Sequence, residues 1–403
     1  MAMDLKVLTP VLEALRPQLL AVTGGAEAHW SGLGRSFPYE LERAVAQWLE
    51  TDPPLPTTRP FGGIHLSLTG AQLARAVLGK TVDESAEGAV AWLEKVIATE
   101  AADVRVVAEV RGLTVSGVVE LPGGVRCSAI DLSPRSPRIL DLEPTRTPAD
   151  FLRRSLEPTT SVLWIGLPGL RYADAKAGDT AQRQAMGLLW RAVLGLTLLP
   201  DQAPLITRMW TEFDDGDLAL AVAGIGWTPQ IDDGAALPNP LPPITQADVE
   251  PAAAYLHLPT EMADQLALAI SRVSLARRRR QSDNQAIEVC TAIESLFGDK
   301  NNEQELIYRL RLRAALYLGE TLEARRAIRE KLGKLYKIRS RAVHGGSGGA
   351  PPGSGPLIAF GIDLAIKATR KIIAAGIWPD WPDLELAPPP LRAAALDPPE
   401  PAA

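Results

Sequence analysis

The sequence predicts an α+β N-terminal domain, built of helices and antiparallel hairpins, followed by an all-α helical bundle. Three observations carry this. Valine-rich alternation over residues 104–130 has the two-residue period of strands. After residue 258 the apolar residues recur only at helical spacing. Between the two lies a stretch rich in proline and acidic residues, Thr228–Pro251, that has neither period. The boundaries read as an α+β domain over 1–227, a Pro-rich linker over 228–257, a helical bundle over 258–378, and a disordered Pro/Ala-rich tail over 379–403.

The first hundred residues are mainly helical, with helices expected from Val7 to Leu20, Pro38 to Leu49, Gly70 to Leu78 and Glu84 to Ala98. Val104–Val110, Thr114–Glu120 and Val125–Ile130 then form a three-strand meander, turning near Gly112 and at Leu-Pro-Gly-Gly 121–124. Ser161–Leu167 is a further strand. Ala181–Leu196 is a helix with Met186, Leu189, Trp190 and Val193 on one side. Ile206–Phe213 and Leu218–Ile225, joined by Asp-Asp-Gly-Asp, read as a second hairpin.

Five helices follow the linker. Thr260–Arg280 carries Leu266, Ile270 and Val273. Asp283 caps a second helix with Ala286, Val289, Cys290, Ile293, Leu296 and Phe297 inward, closed by Gly298. The third begins near Asn302, and its Arg309 and Arg313 fall at i and i+4 on one face. Thr321 caps the fourth, whose stripe is Ile328, Leu332 and Leu335. Pro356 opens the fifth and Gly376 stops it.

Composition bounds the possibilities. The 403 residues suffice for two or three cores. With 46% hydrophobic residues and no apolar run near the roughly 20 residues that span a bilayer, the chain reads as soluble, cytoplasmic and independent of membranes. Cys127 and Cys290 lie far apart in apolar segments, as buried thiols and not a disulfide or zinc site. No cofactor or metal motif is present. Gly79-Lys80-Thr81 lacks the glycine of a phosphate loop at Ala74 and reads as a helix end. The net charge of −6 is uneven: residues 258–377 hold 20 Lys/Arg against 12 Asp/Glu, or +8, and the remainder is −14. A basic bundle on an acidic body suits a polyanion. The run Arg277–Arg280 is either a nucleic-acid patch or a solvated helix end, and Trp378 and Trp381 are free to fold back on the bundle.

The informative stretch is Arg339-Ser-Arg-Ala-Val-His344, where a helix meets Gly345-Gly346. Extending the stripe beyond Leu335 gives 339 and 342, so Arg339 takes an interior position where a guanidinium needs an anionic or polar partner. Glu294 on the second helix can supply it, leaving Arg339 as either a scaffold pair or a phosphate ligand. His344 lies about 140° further round an ideal helix, so the two converge only if the helix ends at once or two copies combine. At a helix C-terminus His344 is either a polar cap or a proton shuttle.

Ala286-Ile-Glu-Val-Cys-Thr-Ala-Ile-Glu294-Ser-Leu-Phe, Tyr308-Arg-Leu-Arg-Leu-Arg-Ala-Ala-Leu and Leu335-Tyr-Lys-Ile-Arg339-Ser-Arg-Ala-Val-His344-Gly resemble the Apea-like branch of the HEPN superfamily. The resemblance covers residues 258–377 and none of the first 227. It implies an all-α bundle, a homodimer, and a metal-independent endoribonuclease with an Arg-x4-His site. Arg339 and His344 would be catalytic, with Ser340 and Glu294 in support and Arg341, Arg309, Arg313 and Lys337 on RNA. Many active members carry Asn, Asp or His directly after the Arg, where this chain has Ser340. The resemblance further implies antiviral defence or abortive infection in bacteria, with the first domain sensing a phage-derived or nucleic-acid trigger or selecting RNA. Inert members that only bind RNA or dimerise set the alternative.

Overall fold

The computed structural model describes residues 5–23, 37–49, 58–140, 161–223, 241–298, 305–344 and 350–391. An α+β body precedes a helical bundle. The body opens with α1 (Leu8–Thr23) and α2 (Tyr39–Leu49), then the hairpin of β1 (Thr58–Phe61) and β2 (Ile64–Ser67), then α3 (Gly70–Asp83) and α4 (Ala86–Ala98). Its main sheet comprises β3 (Ala101–Arg111), β4 (Val118–Leu121), β5 (Val125–Ala129), β6 (Ser161–Arg171) and β7 (Leu205–Phe213), in the order β4-β5-β6-β3-β7. All neighbours are antiparallel. The long helix α5 (Ala175–Thr197) covers one face, packing Leu189, Ala192, Val193 and Leu196 on Val106, Ala108 and Val110. The opposite face holds Val107, Val162, Trp164 and Trp210. Arg105–Glu212 (2.5 Å) and Arg208–Glu109 (2.5 Å) pair on this sheet, and Glu109 is wholly buried.

This topology corrects two expected pairings. Val104–Val110 does not run into a meander, because β3 pairs with β6 and β7 while β4 pairs only with β5 among the described strands. Alternation marks a strand but not its neighbour. An 11-residue strand buried on both faces needs long partners on both edges, and a four-residue β4 cannot satisfy one. Ile206–Phe213 likewise does not turn back on itself. Asp215 caps a turn at Gly216–Ala219, and β8 (Val222–Ala223) joins β2 in a second, three-stranded sheet. Residues 224 and 225, the end of that expected hairpin, lie outside the described residues.

The expected linker is structured from residue 241. Ile244 bridges Val115, and α6 (Glu250–Leu256) buries Ala252, Tyr255 and Leu256. Prolines and acids dominate the composition, yet these apolar residues at helical spacing dock α6 against α5. The approach is close enough that a Cβ on Gly195 would meet the Ala252 backbone at 3.1 Å.

The bundle comprises α7 (Thr260–Arg278), α8 (Ser282–Phe297), α9 (Leu306–Leu318), α10 (Leu322–His344) and α11 (Gly355–Ala375). Helix α8 is central. Its Ala286, Val289, Cys290, Ile293, Leu296 and Phe297 are all fully buried against the other four. Each large one contributes about 1.5–3 kcal/mol of transfer free energy. The cap of α8 falls on Gln281, with Asp283 one step inside the first turn. The expected start of α9 at Asn302 lies outside the described residues. Thr321 Oγ1 accepts from Ala324 N at the start of α10, and Gly376, at φ 66°, ends α11.

The expected disordered tail is ordered through residue 391. Asp380 caps α12 (Trp381–Leu386), and Trp381, 5% exposed, stacks 5.2 Å from Phe297 and 5.4 Å from Tyr317. Glu385 meets Arg313 Nε at 2.6 Å, and Arg313 also donates to Phe297 O. A Pro/Ala-rich composition concealed one indole and one carboxylate with specific partners. Deleting residues 379–403 should therefore destabilise the bundle by about 3 kcal/mol or more, the usual cost of a lost buried indole or a broken buried pair. Urea denaturation of the truncated protein checks this, and an unchanged midpoint would contradict the packing.

Candidate nucleic-acid interface

Helix α10 carries Lys337, Arg339, Ser340, Arg341 and His344, while α8 supplies Glu294. Helix α10 runs without interruption through His344, with Leu332, Leu335, Tyr336 and Ile338 buried. Basic residues in its last turn complement the unpaired carbonyls there. Because the helix stays intact, Arg339 and His344 project about 140° apart within one protomer.

Arg339 follows the stripe towards α8, but at its level the bundle opens. An open groove of ≈ 400 Å³ lies there, lined by Arg339, Glu294, Glu305, Leu306, Ile307 and Tyr308. The Arg339 side chain is thus 34% exposed instead of sealed. Its Nη2 sits 3.5 Å from Glu294 Oε1, beyond the usual 2.7–3.2 Å of an N–H···O bond. Its Nε is buried without a hydrogen-bond partner among the described residues. Burial pushes the Glu294 carboxyl above its ordinary value, with Arg339 opposing. Burial also pushes the Tyr336 phenol beside it upward. The Tyr336 hydroxyl lies near Glu294 and favours its charged form, although the pair does not meet strict hydrogen-bond geometry. Cys290, on the same helix as Glu294, is pushed up to about 12 by burial and stays a thiol.

The other face of α10 is a basic stripe. Lys334, Lys337, Arg341 and His344 are all exposed, and their spacing places them within about 80° of helix surface over about 15 Å. Lys334 is partly engaged by Glu330 at 2.6 Å. Ser340 is exposed as well, and Val343 beside His344 is 51% exposed. This arrangement can follow a phosphate backbone.

Two expected RNA contacts are not on this surface. Arg313 is 1% exposed and committed to Glu385 and Phe297, so it is a core residue. Arg309, one turn away on α9, is half-buried. The i, i+4 spacing aligned them on one face, but that face turns into the bundle, where the tail supplies the carboxylate. Nor is Arg277–Arg280 a patch or a solvated helix end as a whole. Arg277 donates to Thr197 O (2.8 Å), Leu199 O (2.9 Å) and Gln202 O, at the end of α5. Arg370 Nη2 reaches Leu198 O at 2.6 Å and Arg191 Nη2 reaches Leu258 O at 3.1 Å, completing a latch between body and bundle. The helical motif at Gly79–Thr81 lies inside α3, where Lys80 pairs with Glu84 and Asp217. Gly345 and Gly346 lie outside the described residues.

Among the described residues, no group of three or more His, Cys, Asp or Glu is arranged to hold a metal ion, and no helix is long and apolar enough to cross a membrane. Comparison with protein-family models, curated proteins and solved structures gave no match.

The Glu294 carboxyl has a consequence for stability. A carboxyl raised in the fold holds its proton longer than in the unfolded chain, so its stabilising contribution is full below about pH 4.3, the ordinary glutamate value, and is lost as pH rises through the raised folded value. Urea unfolding across pH 4–7 should show that decline in the native protein. Glu294→Gln should flatten it, and an equal slope in both proteins would remove Glu294 as its source.

Proposed function

We propose that the bundle is a metal-independent endoribonuclease of HEPN type, acting as a homodimer whose site combines Arg339 and His344 from two copies. The observation that carries this is the contrast between two arginines. Arg313 is buried with acceptors at hydrogen-bond distance, whereas Arg339 faces an open groove and, among the described residues, has Glu294 no closer than 3.5 Å. The Arg339 side chain is 34% exposed to that groove, so the accessible part of its guanidinium can take an incoming phosphate. His344 ends the exposed basic stripe, within reach of RNA running along it.

One copy holds the two side chains too far apart in direction to grip one phosphodiester, which two copies can do across a shared cleft. There His344 takes the proton of a 2′-hydroxyl as that oxygen attacks phosphorus. The bond to the 5′-oxygen breaks, and the partner's His344 protonates the leaving oxygen. Arg339 stabilises the phosphorane charge. The products are a 2′,3′-cyclic phosphate and a 5′-hydroxyl. Ser340, exposed beside Arg339, supplies a hydroxyl to bound RNA. The α+β body then senses a trigger or selects RNA, in the antiphage or abortive-infection setting that the resemblance implies, and the arginine latch couples it to the bundle.

Purified protein should cleave RNA in EDTA, and Arg339→Ala and His344→Ala should each slow cleavage about 100-fold or more. Retained cleavage in either variant removes that residue from the mechanism.

The 3.5 Å contact of Arg339 with Glu294 favours a second reading, an inert RNA-binding or dimerisation module. In either reading Lys337 and Arg341 neutralise phosphates. Replacing each with Ala should lower the slope of log affinity against log salt by about 0.7 on single-stranded RNA. Filter binding over a salt series measures this, and unchanged slopes would take the stripe out of RNA contact.

A further inference from the structure

The groove beside Arg339 is built for more than a phosphate. Its rim carries Glu305, a non-glycine residue in the left-handed region at φ 55° and ψ 25°. Such a backbone is strained for a residue with a Cβ, and such residues gather at ligand sites. Glu305 stands at the N-cap position of α9, yet its carboxylate makes no capping hydrogen bond. The helix therefore gains no capping hydrogen bond from its side chain, while the backbone bears the cost. Next to it the groove is lined by Leu306, Ile307 (46% exposed) and Tyr308 (50% exposed), an apolar and aromatic wall facing solvent. Arg329 lies over the Tyr308 ring at 5.5 Å, which helps to hold the ring in place. The ≈ 400 Å³ volume falls within the usual range for small-molecule sites.

Resting on the nuclease reading, we infer that this groove takes a guanine base of the RNA, next to the phosphate held by Arg339. A free carboxylate accepts best from two adjacent donors. Guanine alone among the four bases offers them on one edge, as N1–H and the 2-amino group. Adenine and cytosine set a ring-nitrogen lone pair beside their amino group, opposed to the carboxylate. Uracil flanks its single N–H with carbonyls. Tyr308 supplies a stacking surface and Leu306 and Ile307 supply apolar contact, as single-stranded RNA bases require. Glu294 is less suited to this role, because it is about three-quarters buried and faces the Arg339 guanidinium at 3.5 Å.

The test is titration of the full-length protein with GMP, AMP, CMP and UMP, followed by ligand-observed NMR. GMP should bind about tenfold or more tightly than the others, the discrimination of a good bidentate contact. Glu305→Gln should remove that preference. Glu305→Gly should do the same while leaving thermal stability equal or higher, because glycine adopts φ 55° without strain. Tyr308→Ala should weaken all four nucleotides. Equal affinities for the four, absence of GMP binding at millimolar concentration, or GMP preference intact in Glu305→Gln would overturn the inference. The cleavage assay answers separately: RNA cut without regard to base leaves the nuclease standing and sinks the guanine site, while selective GMP binding without cleavage does the reverse.

Discussion

Every guanidinium withdrawn from water must find acceptors, and this requirement organises the molecule from the body to the tail. Arg277 satisfies it with three carbonyls at the end of α5, a position where carbonyls lack intrahelical partners. Burial lowers its affinity for the proton, with the Asp201 and Asp363 carboxylates opposing that shift. The carbonyl contact joins the bundle to the body, because α5 belongs to the core of the sheet. Arg105 solves the problem with Glu212 on the neighbouring strand, and Ser136 and Trp210 satisfy the remaining oxygen of that carboxylate.

Arg313 extends the principle to the end of the described chain. Glu385 meets it at 2.6 Å, so the short helix α12 completes the core instead of trailing from it. Trp381 adds the apolar part of that closure, against Phe297 and Tyr317. Arg339 departs from this pattern. It belongs to the same helical system and carries the same group, but its acceptors are distant and its surroundings open. Arg313 is closed in with its partners, whereas Arg339 faces the groove with Glu294 no nearer than 3.5 Å, and this difference is the basis for the proposal that an anion from outside binds there.

Element types were legible because local periodicity records them. The stripe of α8, the caps at Thr321 and Gly376, the opening of α11 at Pro356 and the strand character of residues 104–110 all follow from spacing and turn chemistry within a dozen residues. The position of Arg339 near Glu294 was legible for the same reason, since Arg339 continues the inward stripe of α10 and Glu294 lies at the edge of α8. Partnership was not legible. Nothing in Val104–Val110 states that its neighbours are residues 161–171 and 205–213, and nothing in α9 states that Arg313 meets a carboxylate 72 residues further on. Composition misled where a few anchoring residues were diluted by prolines and alanines, as with Tyr255 and Trp381.

The amino-acid sequence by itself determined the five bundle helices, the strand character of residues 104–110, 161–167 and 206–213, where the charge lies, and that a guanidinium and an imidazole sit five residues apart near the end of one helix. These properties depend on neighbours along the chain. Only the tertiary structure decided which arginine is core and which is available, that the helix remains whole through His344, and that a groove opens at Arg339. Those outcomes depend on what packs against each side chain from distant parts of the chain, and burial and charge compensation are set by that company alone.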